Sequence, residues 1–215
     1  MSTFRRSVTP EIVRVLFTLF CTILFYGCFS LKYLENVNHL LDLLEEKSPS
    51  IYKHSERVAM MCYAFGKRFD LDGKEREKLY LAGFLHEIGK INFDDEITIE
   101  KKKMKLDDIY PLFSKAVVSS LGDYGKISEI VSQHLENIDG SGHPCGLNAE
   151  QIHLYATMVH MCDYYDTCRM EGNTHSAATA KLRKLVDVAF PKKMITPFIK
   201  MLISGEVELW DGKNI

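Results

Sequence analysis

The segment LHEIGKI, residues 85–91, places a histidine and a glutamate directly after an apolar run, residues 81–85. Apolar residues at helical spacing predict a helix over 74–87, which Gly89 ends. A carboxylate beside such a run costs free energy unless a cation or hydrogen-bond donors compensate its charge. His86 and Glu87 are therefore candidate metal ligands, although a single histidine in such a place is more often a hydrogen-bonded core residue.

Three further metal-capable side chains have similar apolar surroundings. His54 begins a predicted helix over 51–69, and His134 and Asp163 each follow an apolar run. Histidine together with carboxylate is a ligand set for zinc, iron or manganese. Because these residues lie in different predicted helices, one shared centre is favoured over several unrelated core residues. A carboxylate that is not used as a ligand, Asp166 or Glu136, is expected to orient one of the histidines.

The segment HLENIDGSGHP, residues 134–144, is dense in glycine and acidic residues and predicts a loop. Its glycines permit tight turns with exposed backbone N–H groups, which suit an anion. A plain surface turn is the alternative, and composition alone does not decide between the two.

The remainder of the chain has helical periodicity, and no segment alternates as a strand does, so the predicted fold class is all-α. The charged segment 94–105 is expected to be an exposed loop. Besides 51–69 and 74–87, we predict helices over 33–47, 107–121, 127–135, 151–169, 177–190 and 193–203.

Four segments, in this order, resemble the HD superfamily of metal-dependent phosphohydrolases, and more narrowly its HD-GYP branch, which hydrolyses cyclic di-GMP. They are IYKHSERVA at 51–59, LHEIGKI at 85–91, the loop at 134–147, and the helix segment 155–166 that ends in DYYD. The resemblance covers about residues 40–169, with a looser continuation to about 202. It implies an HD-type helical bundle.

The resemblance also implies a function and a set of site residues. The function is a phosphodiesterase that uses a metal-activated water on a cyclic dinucleotide or a related small phosphoester, with one or two ions of Fe or Mn. Catalytic roles fall on Lys90, Glu87 and Asp163, and Lys90 also contacts the phosphate. The implied metal ligands are His54, His86, Glu87, His134 and Asp163, and the implied substrate-binding residues are Lys90, Asp139, Gly140, Gly142, His143 and Pro144.

This sequence departs from the family pattern at several of these places. Glu87 stands for the aspartate of the HD pair, Leu135 for a second histidine, Tyr110 for another histidine before a proline, and His143 for the tyrosine of GYP. The ligands of a third ion are therefore lost, and those of a second are reduced. A degenerate domain that binds nucleotide or a partner protein without turnover is the alternative, and oxygen-dependent chemistry at a di-iron centre is a third.

The amino-terminal part has a different pattern. Residues 15–31 form an uncharged run, and its length of 17 residues is close to the minimum for a spanning helix. They predict a membrane anchor, with a buried or dimer-forming helix and a signal sequence as alternatives. The predicted domains are 1–47, this segment with an amphipathic helix, and 48–215, the HD-type domain.

Composition limits the partners and the compartment. The 215 residues include 27 basic and 29 acidic side chains, for a net charge of −2. A protein without a basic excess is not expected to bind long nucleic acid. The six cysteines form no CxxC pair, so reduced thiols in a cytoplasmic domain are expected. A homodimer and a protein partner stay open.

Overall fold

A computed structural model describes residues 31–91, 96–99, 102–122 and 125–205. The described part is a bundle of helices, and the predicted all-α class is confirmed. A short 3₁₀ helix, Ile88–Lys90, follows the third helix. The α-helices are α1 (Leu31–Lys47), α2 (Pro49–Lys67), α3 (Gly73–Leu85), α4 (Leu106–Ser120), α5 (Gly125–Gln133), α6 (Leu154–Met170), α7 (His175–Lys184) and α8 (Lys192–Ile203).

The charged segment that was expected to be a loop instead contains a hairpin. Strand β1 (Glu96–Ile99) pairs antiparallel with β2 (Lys102–Lys105), and the register sets Glu96 opposite Lys105. The expectation for 94–105 was wrong because the β-branched run at 97–99 favours extended backbone, a preference that the surrounding charges obscured. The hairpin is an addition to a helical bundle and leaves the fold class unchanged.

The helix predicted over 177–190 ends earlier, at Lys184. The Leu185 carbonyl accepts hydrogen bonds from the N–H groups of Val188, Ala189 and Phe190, which closes a turn. Asp187 has a φ of 62°, in the left-handed region where a helix cannot continue. The apolar residues that suggested helix at 185–190 are used to cover the core in this turn, since Ala189 and Phe190 are buried.

Glycine allows α2 and α3 to pack closely. A Cβ atom on Gly83 would lie 2.9 Å from the Cα of Ala59 and 3.0 Å from the Sγ of Cys62. Only a residue without a side chain permits this approach. The contact fixes the end of α3, and with it His86, against the helix that carries His54.

The 3₁₀ helix is fixed against α4 in a similar way. A Cβ atom on Gly89 would lie 2.5 Å from the carbonyl oxygen of Tyr110 and 2.6 Å from the N atom of Ser114. The Ser114 hydroxyl donates to the His86 carbonyl (2.8 Å) and accepts from the Gly89 N–H (2.9 Å). The segment 86–90 therefore has a single position relative to α4.

Helix α6 is buried along most of its length and supplies the centre of the bundle. Its residues Met158, Val159, Met161 and Cys162 are fully buried, and Asp163 and Asp166 are buried next to them. Carboxylates in such a place must be paired or bind a cation.

Two statements concern the amino-terminal part. Except for Leu31, the predicted anchor at 15–31 lies outside the described residues. Within the portion that the structure describes, no helix combines the length and the apolar character needed to cross a bilayer. A boundary between two compact units falls at Leu40–Leu41, inside α1, and the domain limit expected at 47/48 stays a prediction.

Candidate metal centre

Four of the predicted ligands meet at the centre of the bundle: His54 from α2, His86 and Glu87 from the end of α3, and Asp163 from α6. The His54 Nε2 atom lies 3.1 Å from Asp163 Oδ1 and 3.9 Å from Glu87 Oε2. The His86 Nε2 atom lies 3.8 Å from the same Asp163 oxygen. Ligand atoms of His54, His86 and Glu87 are all within 4.8 Å of one another, which is close enough to hold one ion.

His86 tests whether these residues fit a metal. Its Nδ1 lies 2.7 Å from the carbonyl oxygen of Gly83 and must donate to it, so Nε2 carries the lone pair. That Nε2 atom is buried and has no hydrogen-bond partner among the residues that the structure describes. A buried nitrogen without a partner is costly unless a ligand satisfies it, and a neutral imidazole nitrogen is a good metal ligand. The residues therefore fit a divalent metal ion.

His54 is oriented by Asp166, one of the two carboxylates expected to do so. Its Nδ1 lies 2.7 Å from Asp166 Oδ2. Arg57, one turn further along α2, binds both oxygens of this buried carboxylate, each at 2.8 Å. The Nδ1 proton is thereby fixed towards Asp166, and Nε2 is directed at Asp163 and Glu87.

Hydrogen bonds between His54 and two carboxylates determine the protonation of the centre. Burial lowers the pKa of His54, but hydrogen bonds to Asp163 and Asp166 outweigh this effect and raise it to about 10. Burial opposes the charge of Asp163, yet the hydrogen bond from His54 holds the pKa of Asp163 well below its ordinary value. A proton on His54 thus occupies the place of positive charge that a cation would take.

Glu136, the other carboxylate expected to orient a histidine, has a different role. Its two oxygens accept the backbone N–H groups of Cys145 (2.7 Å) and Leu147 (2.9 Å), so it holds the loop closed from within. Its only contribution to a histidine among the described contacts is its backbone carbonyl, which accepts from His160 Nδ1 at 3.2 Å.

Lys90 lies at the edge of the centre. Its Nζ donates to Glu87 Oε1 at 2.5 Å and lies 4.2 Å from the centroid of the Tyr110 ring. The side chain is only partly buried. An ammonium group is thus placed beside one predicted ligand, where it can meet an anion that reaches the metal.

His134 lies near His86, and both of its ring nitrogens have hydrogen-bond partners. Its ring centroid is 5.0 Å from that of His86, and its ligand atoms group with those of His86 and Asp163 within 4.8 Å. Its Nδ1 donates to the Val131 carbonyl, and its Nε2 is 2.7 Å from the Tyr110 hydroxyl. Burial, with His86 nearby, lowers the pKa of His134 well below its ordinary value, so the ring is neutral.

Residues 38–189, which include every residue of this centre, match the family model described as HD domain. The chain belongs to the HD domain family. The resemblance to this superfamily that the four sequence segments indicated is thereby confirmed.

Two relatives of this HD domain are named as phosphodiesterases of cyclic dinucleotides. A cyclic di-GMP phosphodiesterase from Pseudomonas aeruginosa is 34% identical over 146 residues, which cover 64% of this chain and 35% of the relative. The 3'3'-cGAMP-specific phosphodiesterase 1 from Vibrio cholerae is 26% identical over 131 residues, which cover 59% and 30%. The chain therefore spans about a third of the length of these relatives.

Solved structures agree on the fold. A cyclic GMP-AMP-specific phosphodiesterase from V. cholerae superposes with a TM-score of 0.62 at 15% identity, covering 83% of this chain and 50% of that chain. An HDG"Y"P protein from Bdellovibrio bacteriovorus gives 0.59 at 21% identity, covering 78% and 60%. At these identities, both likenesses show the fold alone.

The loop of the HD domain is ordered by its own contacts. Asp139 Oδ1 accepts from both the N–H and the hydroxyl of Ser141, at 2.9 and 2.6 Å, and Gly140 has a φ of 84°. A side chain on Gly142 would collide with the backbone of Glu136 and Asn137. These residues shape the loop, and their role in substrate binding stays a prediction.

The far end of the loop carries two more predicted substrate-binding residues. The peptide bond between His143 and Pro144 is cis. His143 is exposed, and its Nε2 lies 3.9 Å from Asp108 Oδ1 at the start of α4. Contact of either residue with a substrate stays a prediction.

Sequence reasoning missed Arg57 as a member of the site. For Tyr110, the sequence indicated only that this residue stands where the family pattern has a histidine. An arginine one turn after a candidate ligand, on a helix with a buried face, was the available signal for Arg57. The hydroxyl contact of Tyr110 depends on how α4 meets the end of α5, which periodicity does not show.

Proposed function

We propose that this HD domain is a metal-dependent phosphodiesterase that hydrolyses a cyclic dinucleotide. The observation that carries the proposal is the convergence of His54, His86, Glu87 and Asp163 from separate helices around the unpartnered His86 nitrogen. The named activities of the relatives support this substrate class. The proposal concerns the domain, because the relatives are longer proteins.

The chain's own residues prepare the centre for this chemistry. A bound divalent ion would supply a water of lowered pKa and neutralise phosphate oxygens. Asp166 and Arg57 hold the His54 ring so that its Nε2 faces the centre, and the Gly83 carbonyl does the same for His86. Lys90 offers a positive charge to a non-bridging phosphate oxygen.

Iron or manganese is the proposed metal, as one or two ions. Imidazole nitrogen combined with carboxylate oxygen suits both metals better than a thiolate site would. Cys62 and Cys162 are the cysteines nearest in sequence to the proposed ligands of α2 and α6, and both are buried free thiols.

For the substrate, we propose cyclic di-GMP or 3'3'-cGAMP. The loop residues Asp139, Gly140, Gly142, His143 and Pro144 are proposed to contact it, together with Lys90. The net charge of −2 does not favour a long nucleic acid, whose binding depends on many contacts between basic side chains and phosphates, whereas a small dianion needs only a local positive charge.

A degenerate domain that binds a nucleotide or a protein partner without turnover is the second candidate. Two observations favour it: Leu135 cannot bind a metal, and the ligand nitrogen of His134 is engaged by Tyr110. Retention of His54, His86, Glu87 and Asp163 as one cluster favours the enzyme, because a domain that only binds a nucleotide or a partner needs no group that activates water.

The test measures metal content and turnover in one preparation. The full chain, loaded with Mn²⁺ or anaerobically with Fe²⁺, is assayed against cyclic di-GMP and 3'3'-cGAMP. We expect hydrolysis that His86→Gln and Asp163→Asn reduce by about a hundredfold or more, since each removes a direct ligand. His39→Gln, an exposed histidine, is the matched control and should retain full activity.

The outcomes separate the two candidates. Bound metal and turnover in the wild type, with turnover lost in both variants, support the enzyme. Nucleotide binding without turnover supports the degenerate domain. Absence of both metal and nucleotide binding contradicts both and leaves only the family assignment.

A further inference from the structure

The hydrogen bonds of His134 define which of its atoms a metal could use. The Val131 carbonyl oxygen can only accept, so the ring proton of His134 resides on Nδ1, 2.7 Å away. Nε2 is then the acceptor, and the Tyr110 hydroxyl donates to it at 2.7 Å. The lone pair that would bind a metal is thus already occupied by a proton donor.

Tyr110 is firmly placed in this position. It is 1% exposed, and the Lys90 ammonium group lies 4.2 Å from its ring centroid. Its backbone carbonyl packs directly on Gly89, where even a methyl group would not fit. Moving the hydroxyl away from His134 would therefore require moving the start of α4 or a ring in a close-packed interior.

His134 differs in this respect from the two other histidines of the centre. Nε2 of His86 has no partner among the described residues, and Nε2 of His54 faces the carboxylates of Asp163 and Glu87. One of these nitrogens thus faces anionic groups and the other has no described partner, and both situations are typical of metal-ligand atoms. Nε2 of His134 is directed at a neutral donor.

We propose that Tyr110 masks the ligand nitrogen of His134, so that the centre binds a single ion through His54, His86, Glu87 and Asp163. The inference rests on the proposed function, because it concerns the metal of the same centre. Removal of the hydroxyl leaves a buried acceptor beside His86 and Asp163, whose ligand atoms lie within 4.8 Å of it. A second ion would then have the His134 nitrogen and a carboxylate oxygen of Asp163 as donors, because the one free nitrogen of His86 already serves the first ion. The tyrosine therefore acts as a determinant of metal count.

The test counts metal ions on the full chain in five forms: wild type, Tyr110→Phe, His134→Gln, the double variant and His86→Gln, which is the reference for loss of a ligand. Mn²⁺ binding is followed by calorimetry, and metal per chain is measured by mass spectrometry after removal of excess ion. Circular dichroism confirms that each form is folded. Phenylalanine keeps the ring under Lys90 and removes only the hydroxyl group.

The expected results form a cycle. The wild type binds one ion, and His134→Gln changes the affinity by less than about threefold, because a nitrogen bonded to Tyr110 is not a ligand. Tyr110→Phe gains a second ion or tightens binding by about tenfold. The double variant returns to the wild-type values, since the gain depends on His134.

Several results would overturn the inference. They are two ions in the wild type, a loss in His134→Gln as large as that in His86→Gln, or no change of count and affinity in Tyr110→Phe. A visible phenolate-to-iron charge-transfer band after oxidation of the bound iron to Fe³⁺ would also contradict it, because Tyr110 would then be a ligand itself. If neither wild type nor Tyr110→Phe binds metal, the proposed function fails, which is a distinguishable result.

Discussion

The orientation of a histidine in this centre depends on the groups that bind its second ring nitrogen. Asp166 faces His54, and Arg57 neutralises Asp166 with two hydrogen bonds. Without that arginine, a buried carboxylate would compete more strongly for the His54 proton and would be free to change its rotamer. Arg57 is therefore a positioning residue for a histidine that it does not contact in any described hydrogen bond.

Arg57→Met is expected to weaken Mn²⁺ binding by about 10–100-fold, the effect typical of losing a group that orients a ligand. Arg57→Lys keeps the charge but loses the two-pronged geometry, so it should recover part of the affinity. Calorimetric titration of the folded variants measures both values.

Arg183→Met, an exposed arginine on α7, is the control and should bind as the wild type does. Equal losses of affinity in Arg57→Met and Arg57→Lys would argue against orientation. Unaltered affinity in both would remove Arg57 from the centre.

The residues that meet at the centre were predictable because each is a metal-capable group after or within an apolar run, and their role as ligands stays a prediction. His54, His86, Glu87, His134 and Asp163 were all identified in this way or through the resemblance, and the structure brings them together. The roles of Arg57 and Tyr110 were not predictable, because they depend on which helices touch. A sequence shows the type of a buried polar group more readily than its partner.

Among whole elements, the meeting of α2 and α3 decides how closely the two histidine-bearing segments lie. Gly83 is the residue that permits it, with Ala59 and Cys62 directly opposite. The hydrophobic pattern placed both helices correctly to within a few residues, whereas the hairpin and the early end of α7 were missed. Both misses are places where local backbone preference outweighed the pattern of polar and apolar residues.

Gly83→Ala is expected to lower the free energy of unfolding by about 1–3 kcal/mol, because the new methyl group would overlap backbone atoms of α2. The same substitution at Gly73, in the first turn of α3, meets no atom within 4 Å. There it should be neutral or stabilising by up to about 1 kcal/mol, through the reduced entropy of the unfolded chain.

Urea unfolding of the two variants beside the wild type gives both values. Equal effects at the two positions would show that the contact between α2 and α3 does not determine the effect of the substitution at Gly83.

For the molecule as a whole, one buried carboxyl group outside the centre links stability to pH. Glu77 on α3 is 5% exposed, and burial raises its pKa to about 7 from an ordinary 4.5. The folded chain then retains a proton that the unfolded chain has already released. The contribution of Glu77 to stability is complete at low pH and is lost as the pH rises from about 4.5 to about 7.

Glu77→Gln removes this dependence, because an amide does not ionise. Relative to the wild type, the variant should gain about 2–3 kcal/mol in free energy of unfolding between pH 4.5 and pH 8. Glu150→Gln, on an exposed loop, should follow the wild type at every pH. A constant difference between Glu77→Gln and the wild type across this range would contradict the assignment.

The bond between His54 and Asp166 joins residues that are 112 positions apart. During synthesis, both histidines of α2 and α3 leave the ribosome long before the acids of α6 exist, so an early fragment offers a cation only a partial cage. Contacts between residues so far apart in sequence cost more chain entropy to close than local contacts do. Full binding of the proposed metal would therefore require a polypeptide that has been completed through α6.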